Sequence, residues 1–262
     1  MNRYGTVALI AIALTAAACS TGSSSDPSIT PRPPLEDPPD PGPAPREHGL
    51  SSTEVVRLAE STVRVFGIAC GRTTEGSGFA VSSEVVVTNA HVVFGVDEPM
   101  IEIGSGERLD ASVVAFDAVN DLALLRVSGA QFEPLVLGDA PDGTVGALFG
   151  WEQGPELQVT PFRIDRPVTV RIEAIGSQDR IGRPSYLLAA DIEAGDSGAA
   201  LVDETGTVVG IAYMSTTRDA SVGYAVRTDP LADLIEQGFS DNAVVPECGV
   251  TTQSGKSAED ES

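Results

Sequence analysis

From Thr62 onward the chain is a succession of short β-branched runs separated by Gly, Asp and Asn, and this pattern narrows the choice of fold more than any other feature. "TVRVFGIAC", "GSGFAVS", "EVVVTNA", "MIEIG", "LDASVVAFD" and "DLALLRV" form a first series. "TVGALFGW", "ELQVTPFRI", "PVTVRIEAIG", "SYLLAAD", "GAALVD", "GTVVGIAYMST" and "SVGYAVR" form a second. Two groups of about six strands joined by turns predict an all-β protein made of two six-stranded antiparallel barrels, over about 61–135 and 136–228. A helix is expected at each end of this region. Ser51 and Glu54 in "SSTEVVRLAEST" spell a capping box. "DPLADLIEQG" reads as a closing helix over about 229–238, with Asp229 as its cap and Gly238 as its stop.

The chain ahead of the strands divides in two. Residues 1–19, "MNRYGTVALIAIALTAAAC", join a basic start at Arg3 to an apolar run and small residues, which is the pattern of an export signal. The apolar run is shorter than the roughly 20 residues that a membrane span needs. Small residues ending at Cys19 suit lipidation of that cysteine, although Ala16-Ala17-Ala18 would equally serve an ordinary signal peptidase. Residues 20–49 are rich in Ser, Pro and Asp and have little to bury, so they read as an extended spacer without a fold. The polar stretch 249–262 reads as a disordered tail.

An exported chain meets oxidising conditions, which would let Cys70 and Cys248 pair; the alternative is two free thiols. The formal net charge of −22 would repel a phosphate backbone, so nucleic acid is not an expected partner.

The chemistry-bearing candidates centre on "EAGDSGAAL", where Ser197 lies between Asp196 and Gly198. A serine hydroxyl becomes a nucleophile only when a base takes its proton, and that base needs an acid group to fix its tautomer. The chain has two histidines. His48 falls in the Pro-rich spacer and is expected to be solvated, which leaves His91 in "VVVTNAHVV" at the end of an apolar strand. Further on, "NDLALLRV" puts Asp121 directly before an alternating strand, where its carboxylate could meet a buried imidazole.

"TNAHVV", "NDLALLRV" and "GDSGAAL", in that order, resemble the His, Asp and Ser motifs of the trypsin-fold serine proteases. The bacterial HtrA-like branch is the nearest likeness, and within it the envelope-anchored acid-resistance type, as "ADIEAGDSGAAL" and "VGYAVRTDPLADLI" suggest. The resemblance covers roughly 62–238 and implies a serine endopeptidase without cofactor or metal, acting on proteins or peptides. It implies Ser197 as nucleophile, His91 as general base and acid, Asp121 as the residue orienting His91, and the amides of Gly195 and Ser197 as the oxyanion hole. Tyr213, Met214 and Ser215 would line the cleft and pair with substrate backbone, with Gly223 as a further substrate-binding candidate. Asp191 resembles the base of the primary pocket; it would either select basic side chains or serve as a turn residue beside an apolar or small pocket.

The sequence departs from the family at two places. Ala199-Ala200 replaces the usual Gly-Pro, and the segment ahead of the barrels has no "IVGG"-like start, so Asp196 is expected to find a partner other than a new N-terminus. The cysteines and histidines lack metal-ligand spacing. The expected setting is the outer face of a bacterial cytoplasmic membrane, held there by Cys19. The competing reading is a weak or inactive protease-like module that only binds peptides.

Overall fold

The computed structural model describes residues 40–152, 154–215, 221–240 and 243–248. The first barrel is built from β1 (Thr62–Ala69), β2 (Arg72–Ala80), β3 (Val85–Thr88), β4 (Met100–Glu102), β5 (Arg108–Asp117) and β6 (Leu122–Val127), with α2 (Ala90–Val93) following β3. Its strands run in the spatial order β1-β2-β3-β6-β5-β4 and close through β1 and β4. The second barrel holds β7 (Val145–Gly150), β8 (Gln158–Glu173), β9 (Arg180–Ala190), β10 (Ala200–Asp203), β11 (Val208–Ser215) and β12 (Val222–Arg227). It runs β10-β11-β12-β9-β8-β7 and closes through β7 and β10. All strand pairs in both barrels are antiparallel.

Strand alternation explains why several runs are apolar on both faces. In β6, Ala123, Leu125 and Val127 join the core of the first barrel, while Leu122 and Leu124 join a larger cluster shared with the second. In β10, Leu201 faces its own barrel and Ala200 and Val202 face the shared cluster. Phe79, Phe149 and Leu187 bring the two barrels together there. The loops leading into β6 and β10, and the turn after β3, therefore open beside the seam between the barrels, and they carry Asp121, Ser197 and His91.

Both helices form. In α1 (Ser52–Ala59) the capping box is complete: Glu54 N–H donates to Ser51 Oγ at 3.3 Å and Ser51 N–H donates to Glu54 Oε2 at 2.8 Å. The closing helix is α3 (Thr228–Glu236), and its N-cap is Arg227 rather than Asp229. Asp229 lies two residues further on, within the first turn, where it pairs with Arg227 at 3.0 Å and complements the helix dipole. Gly238 stops the helix with φ +86°.

Three further expectations need revision. "ELQVTPFRI" and "PVTVRIEAIG" are one strand, β8, because a bulge between Ile164 and Arg166 bends the chain without ending its pairing with β9. β9 begins at Arg180, five residues before the apolar run that marks it in the sequence. Residues 40–49 carry no helix or strand but lie against the second barrel: Arg163 Nη2 donates to the Pro41 carbonyl at 2.6 Å, and Leu50 enters the shared core. Prolines hold such a segment extended, so docking it orders few new dihedrals. His48, expected to be solvated, is half-buried and accepts the Leu50 N–H at 3.1 Å. The signal, Cys19 and the tail from 249 lie outside the described residues.

Candidate active site

His91 does not end a strand. It sits in the short helical turn α2, directly after β3. Asp121 holds it at two points: Oδ1 accepts the His91 backbone N–H at 2.9 Å, and Oδ2 lies 2.9 Å from the ring Nδ1. An ionised carboxylate only accepts, so the ring proton belongs on Nδ1 and the Nε2 lone pair is left free to take a proton. Asp121 is 2 % exposed and adopts φ +61°, a left-handed conformation that aspartate tolerates better than most residues. Buried Asn89 secures that turn by donating from Nδ2 to the Asp121 carbonyl at 2.9 Å.

The Ser197 turn is held from the other side by β2, through a residue that the sequence reading missed. Ser77 is fully buried; its N–H donates to the Ser197 carbonyl at 2.7 Å and its Oγ donates to the Gly195 carbonyl at 2.7 Å. The same Oγ accepts the Trp151 N–H at 2.8 Å. Thr88, one turn before His91, donates its hydroxyl to the Ser77 carbonyl at 2.7 Å. The first barrel thus grips the serine turn with the strand pair that also leads into His91. The only sequence sign of Ser77 is its place between Gly76 and Gly78, where side chains would collide with Val92 and Val87.

Gly195 has φ +107°, which a residue with a Cβ would resist. The amides of Asp196, Gly198 and Ala199 bond to the carbonyls of Glu193, Ala212 and Asp196. Among the described residues no hydrogen bond takes up the amides of Gly195 and Ser197. Two unengaged N–H groups flanking Asp196 can receive a negative oxygen. Asp196 itself is fully buried; its Oδ2 accepts the Glu193 N–H at 2.9 Å, and among the described residues it meets no cation and its Oδ1 lacks a partner. Burial, opposed by the Glu193 bond and reinforced by the charges of Glu152 and Glu193, pushes its carboxyl up to about 7.

The substrate-side candidates separate. Tyr213 does not line the cleft. A bulge between Ala212 and Met214 turns it inward, where it is 5 % exposed and its hydroxyl lies 3.0 Å from Ser185 Oγ. Burial pushes that hydroxyl up to about 12. Met214 and Ser215 remain half-buried on β11. Asp191 is exposed at the end of β9, and its neighbour Ile192 is the residue that turns inward. Ile192 packs over Gly223, where any side chain would collide with its Cδ1. Cys70 and Cys248 are disulfide-bonded, with Cα atoms 5.6 Å apart.

Two closed antiparallel barrels, with a carboxylate-bound histidine and a glycine-flanked serine beside their seam, define the trypsin-type architecture. The chain belongs to the trypsin-like peptidase domain family, which matches residues 76–211. It is 32 % identical over 189 residues to the serine protease Rv3671c of Mycobacterium tuberculosis, a match covering 70 % of this chain and 47 % of that protein. It is 33 % identical over 182 residues to a DegP-like periplasmic serine endoprotease of Halomonas elongata, covering 66 % of this chain and 37 % of the relative. The chain thus spans half or less of the length of these relatives. The crystal structure of the active form of the Rv3671c protease matches with a TM-score of 0.72 at 28 % identity, over 82 % of this chain and 98 % of that one. The inactive form matches with a TM-score of 0.61 at 29 % identity, over 71 % and 92 %.

Proposed function

We propose that the protein is an exported serine endopeptidase that cleaves proteins or peptides by acyl transfer in the bacterial cell envelope. The observation that carries this reading is the two-point hold of Asp121 on His91, which leaves Nε2 as a base beside a serine turn braced by Ser77. In the reaction, His91 takes the Ser197 proton as the hydroxyl oxygen attacks the scissile carbonyl. The amides of Gly195 and Ser197 receive the oxyanion. His91 then protonates the leaving amine, and a water deprotonated by His91 releases the acyl group. Ile192 against Gly223 favours an apolar or small side chain in the primary pocket, with Asp191 outside it. Export follows from the pattern of residues 1–19 and accords with the periplasmic description of the Halomonas relative; Cys19 is the candidate for lipid attachment.

A fluorophosphonate probe tests the chemistry. The folded, oxidised protein is expected to label at Ser197, and Ser197→Ala to abolish labelling. A folded wild-type protein that stays unlabelled from mildly acidic to mildly alkaline pH refutes the enzyme and leaves a peptide-binding module.

Ser77→Ala tests the brace. The variant leaves the buried Trp151 N–H unpaired and frees the Gly195 carbonyl to turn, so kcat should fall about tenfold or more with KM less affected. Stability should fall by about 1–3 kcal/mol, read from urea unfolding. Unchanged kcat would show that the oxyanion turn holds its shape without Ser77.

A further inference from the structure

Arg183 is among the largest fully buried side chains of the described protein, at 0 % exposure, and no step above uses it. It stands on β9 in the second barrel and reaches Asp121 of the first. Its Nη1 donates to Asp121 Oδ2 at 3.3 Å, the same oxygen that receives the His91 ring. Its Nε donates to the Val119 carbonyl at 3.1 Å, two residues before Asp121. The guanidinium carbon lies 5.0 Å from the centre of the Tyr213 ring, whose hydroxyl is tied to Ser185. Tyr224 packs 6.4 Å behind Tyr213. Both tyrosine hydroxyls are pushed up by burial and stay neutral, so Asp121 is the counter-charge of Arg183 in this cluster.

Stability alone does not account for such a residue. A buried ion pair is often no more stabilising than apolar side chains of the same volume. Here one guanidinium nitrogen, Nη2, is also buried without a partner among the described residues, which adds to the penalty. The arrangement does give Asp121 Oδ2 a second, charge-assisted donor from a rigid planar fork that is itself stacked on a ring. With Oδ1 on the His91 backbone and Oδ2 between the His91 ring and Arg183, the carboxylate has one orientation.

We propose that Arg183 is a positioning residue for the acyl-transfer reaction: a cation of the second barrel that fixes the Asp121 carboxylate against His91 and makes the histidine's alignment depend on the docking of the two barrels. The proposal rests on the serine-peptidase reading of the same site. It also explains the inward turn of Tyr213, which supplies the face on which the guanidinium rests.

Arg183→Met and Arg183→Lys test it together in the full chain, with kcat and KM on a peptide substrate and the proton spectrum of the His91 Nδ1–H as readouts. Arg183→Met is expected to lower kcat about 100-fold with KM within about threefold, and to broaden or remove the low-field Nδ1–H resonance. Arg183→Lys keeps the charge but cannot hold Val119 and Asp121 with one planar fork, so it should recover about tenfold of that loss and stay about tenfold below wild type. Folded Arg183→Met with kcat within twofold of wild type overturns the proposal. So does Arg183→Lys that equals wild type, which decides the matter if the methionine variant does not fold, or lysine that performs no better than methionine. Absence of fluorophosphonate labelling in the wild type refutes the enzyme reading instead, whereas a labelled wild type with unaffected variants refutes only the role of Arg183.

Discussion

Asp121→Asn is expected to lower kcat by about 10⁴ near neutral pH while changing KM little, since the loss falls on the proton-transfer step rather than on substrate binding. The reason lies in which atoms can donate. Asp121 accepts at both oxygens: from the His91 backbone at Oδ1, and from the His91 ring and Arg183 at Oδ2. An asparagine must place an NH₂ group at one of the two. At the Oδ2 position that group opposes the guanidinium and drives the ring proton from Nδ1 to Nε2, where no lone pair is left to take the Ser197 proton. In the flipped orientation it opposes the His91 backbone N–H. Either choice also leaves fully buried Arg183 without its counter-charge, so unfolding free energy should fall by about 3–5 kcal/mol. Steady-state kinetics and urea unfolding on one preparation check both parts. Asp121→Asn with kcat within tenfold of wild type would remove Asp121 from the mechanism.

The large effects at Asp121, His91 and Ser197 belong to residues that the sequence displays, each in a short run whose neighbours mark it. "TNAHVV" carries the buried Asn89 that secures the Asp121 turn, and "GDSG" carries the glycines that its geometry requires. The alternation of "LALLRV" likewise announces a strand buried on two faces. Residues whose roles depend on another part of the chain were not legible. Ser77 reads as one polar position in a strand, and only the fold sets it against Gly195, 118 residues away. Arg183 reads as a surface charge before an apolar run, yet closure of the second barrel buries it against Asp121. Tyr213 misled for a related reason: its strand resembles a substrate-pairing segment, but a one-residue bulge reverses the face on which it stands. Asp191 and Ile192 differ by one position, and sequence could not say which of the two turns inward.

Asp196 should make the protein lose stability as pH rises, opposite to the usual behaviour of a carboxylate. Most acidic groups gain partners on folding and are held below their ordinary range, so acid removes what they contribute. Asp196 is fully buried, has one N–H donor and no cation among the described residues, and lies near the negative charges of Glu152 and Glu193; its carboxyl is pushed up to about 7 from 3.8. Between those two values the folded chain holds a proton that the unfolded chain has released. Folding therefore binds a proton in that window, and unfolding free energy must decrease as pH increases through it. The contribution of this site is fully present below the unfolded value and is lost by the time pH passes the folded one. About three pH units correspond to about 4 kcal/mol over the whole window, of which about 2–3 kcal/mol falls between pH 5 and pH 8. Asp196→Asn mimics the neutral acid and removes the titration. A glycine at 150 leaves room for the larger amide at the Oδ1 position only as far as it does for the acid, since any side chain there would collide with that oxygen. The variant should therefore match wild type near pH 4–5 and exceed it by about 2–4 kcal/mol near pH 8, with the difference growing steadily between. Urea unfolding at four pH values, compared between the two proteins, isolates this group from all other titrations they share. A difference that stays constant with pH would mean that Asp196 is ionised throughout and has found a partner in solution. Because Asp196 separates the two amides proposed to receive the oxyanion, the same titration is expected to appear in the fluorophosphonate labelling rate of wild type and to be absent from Asp196→Asn.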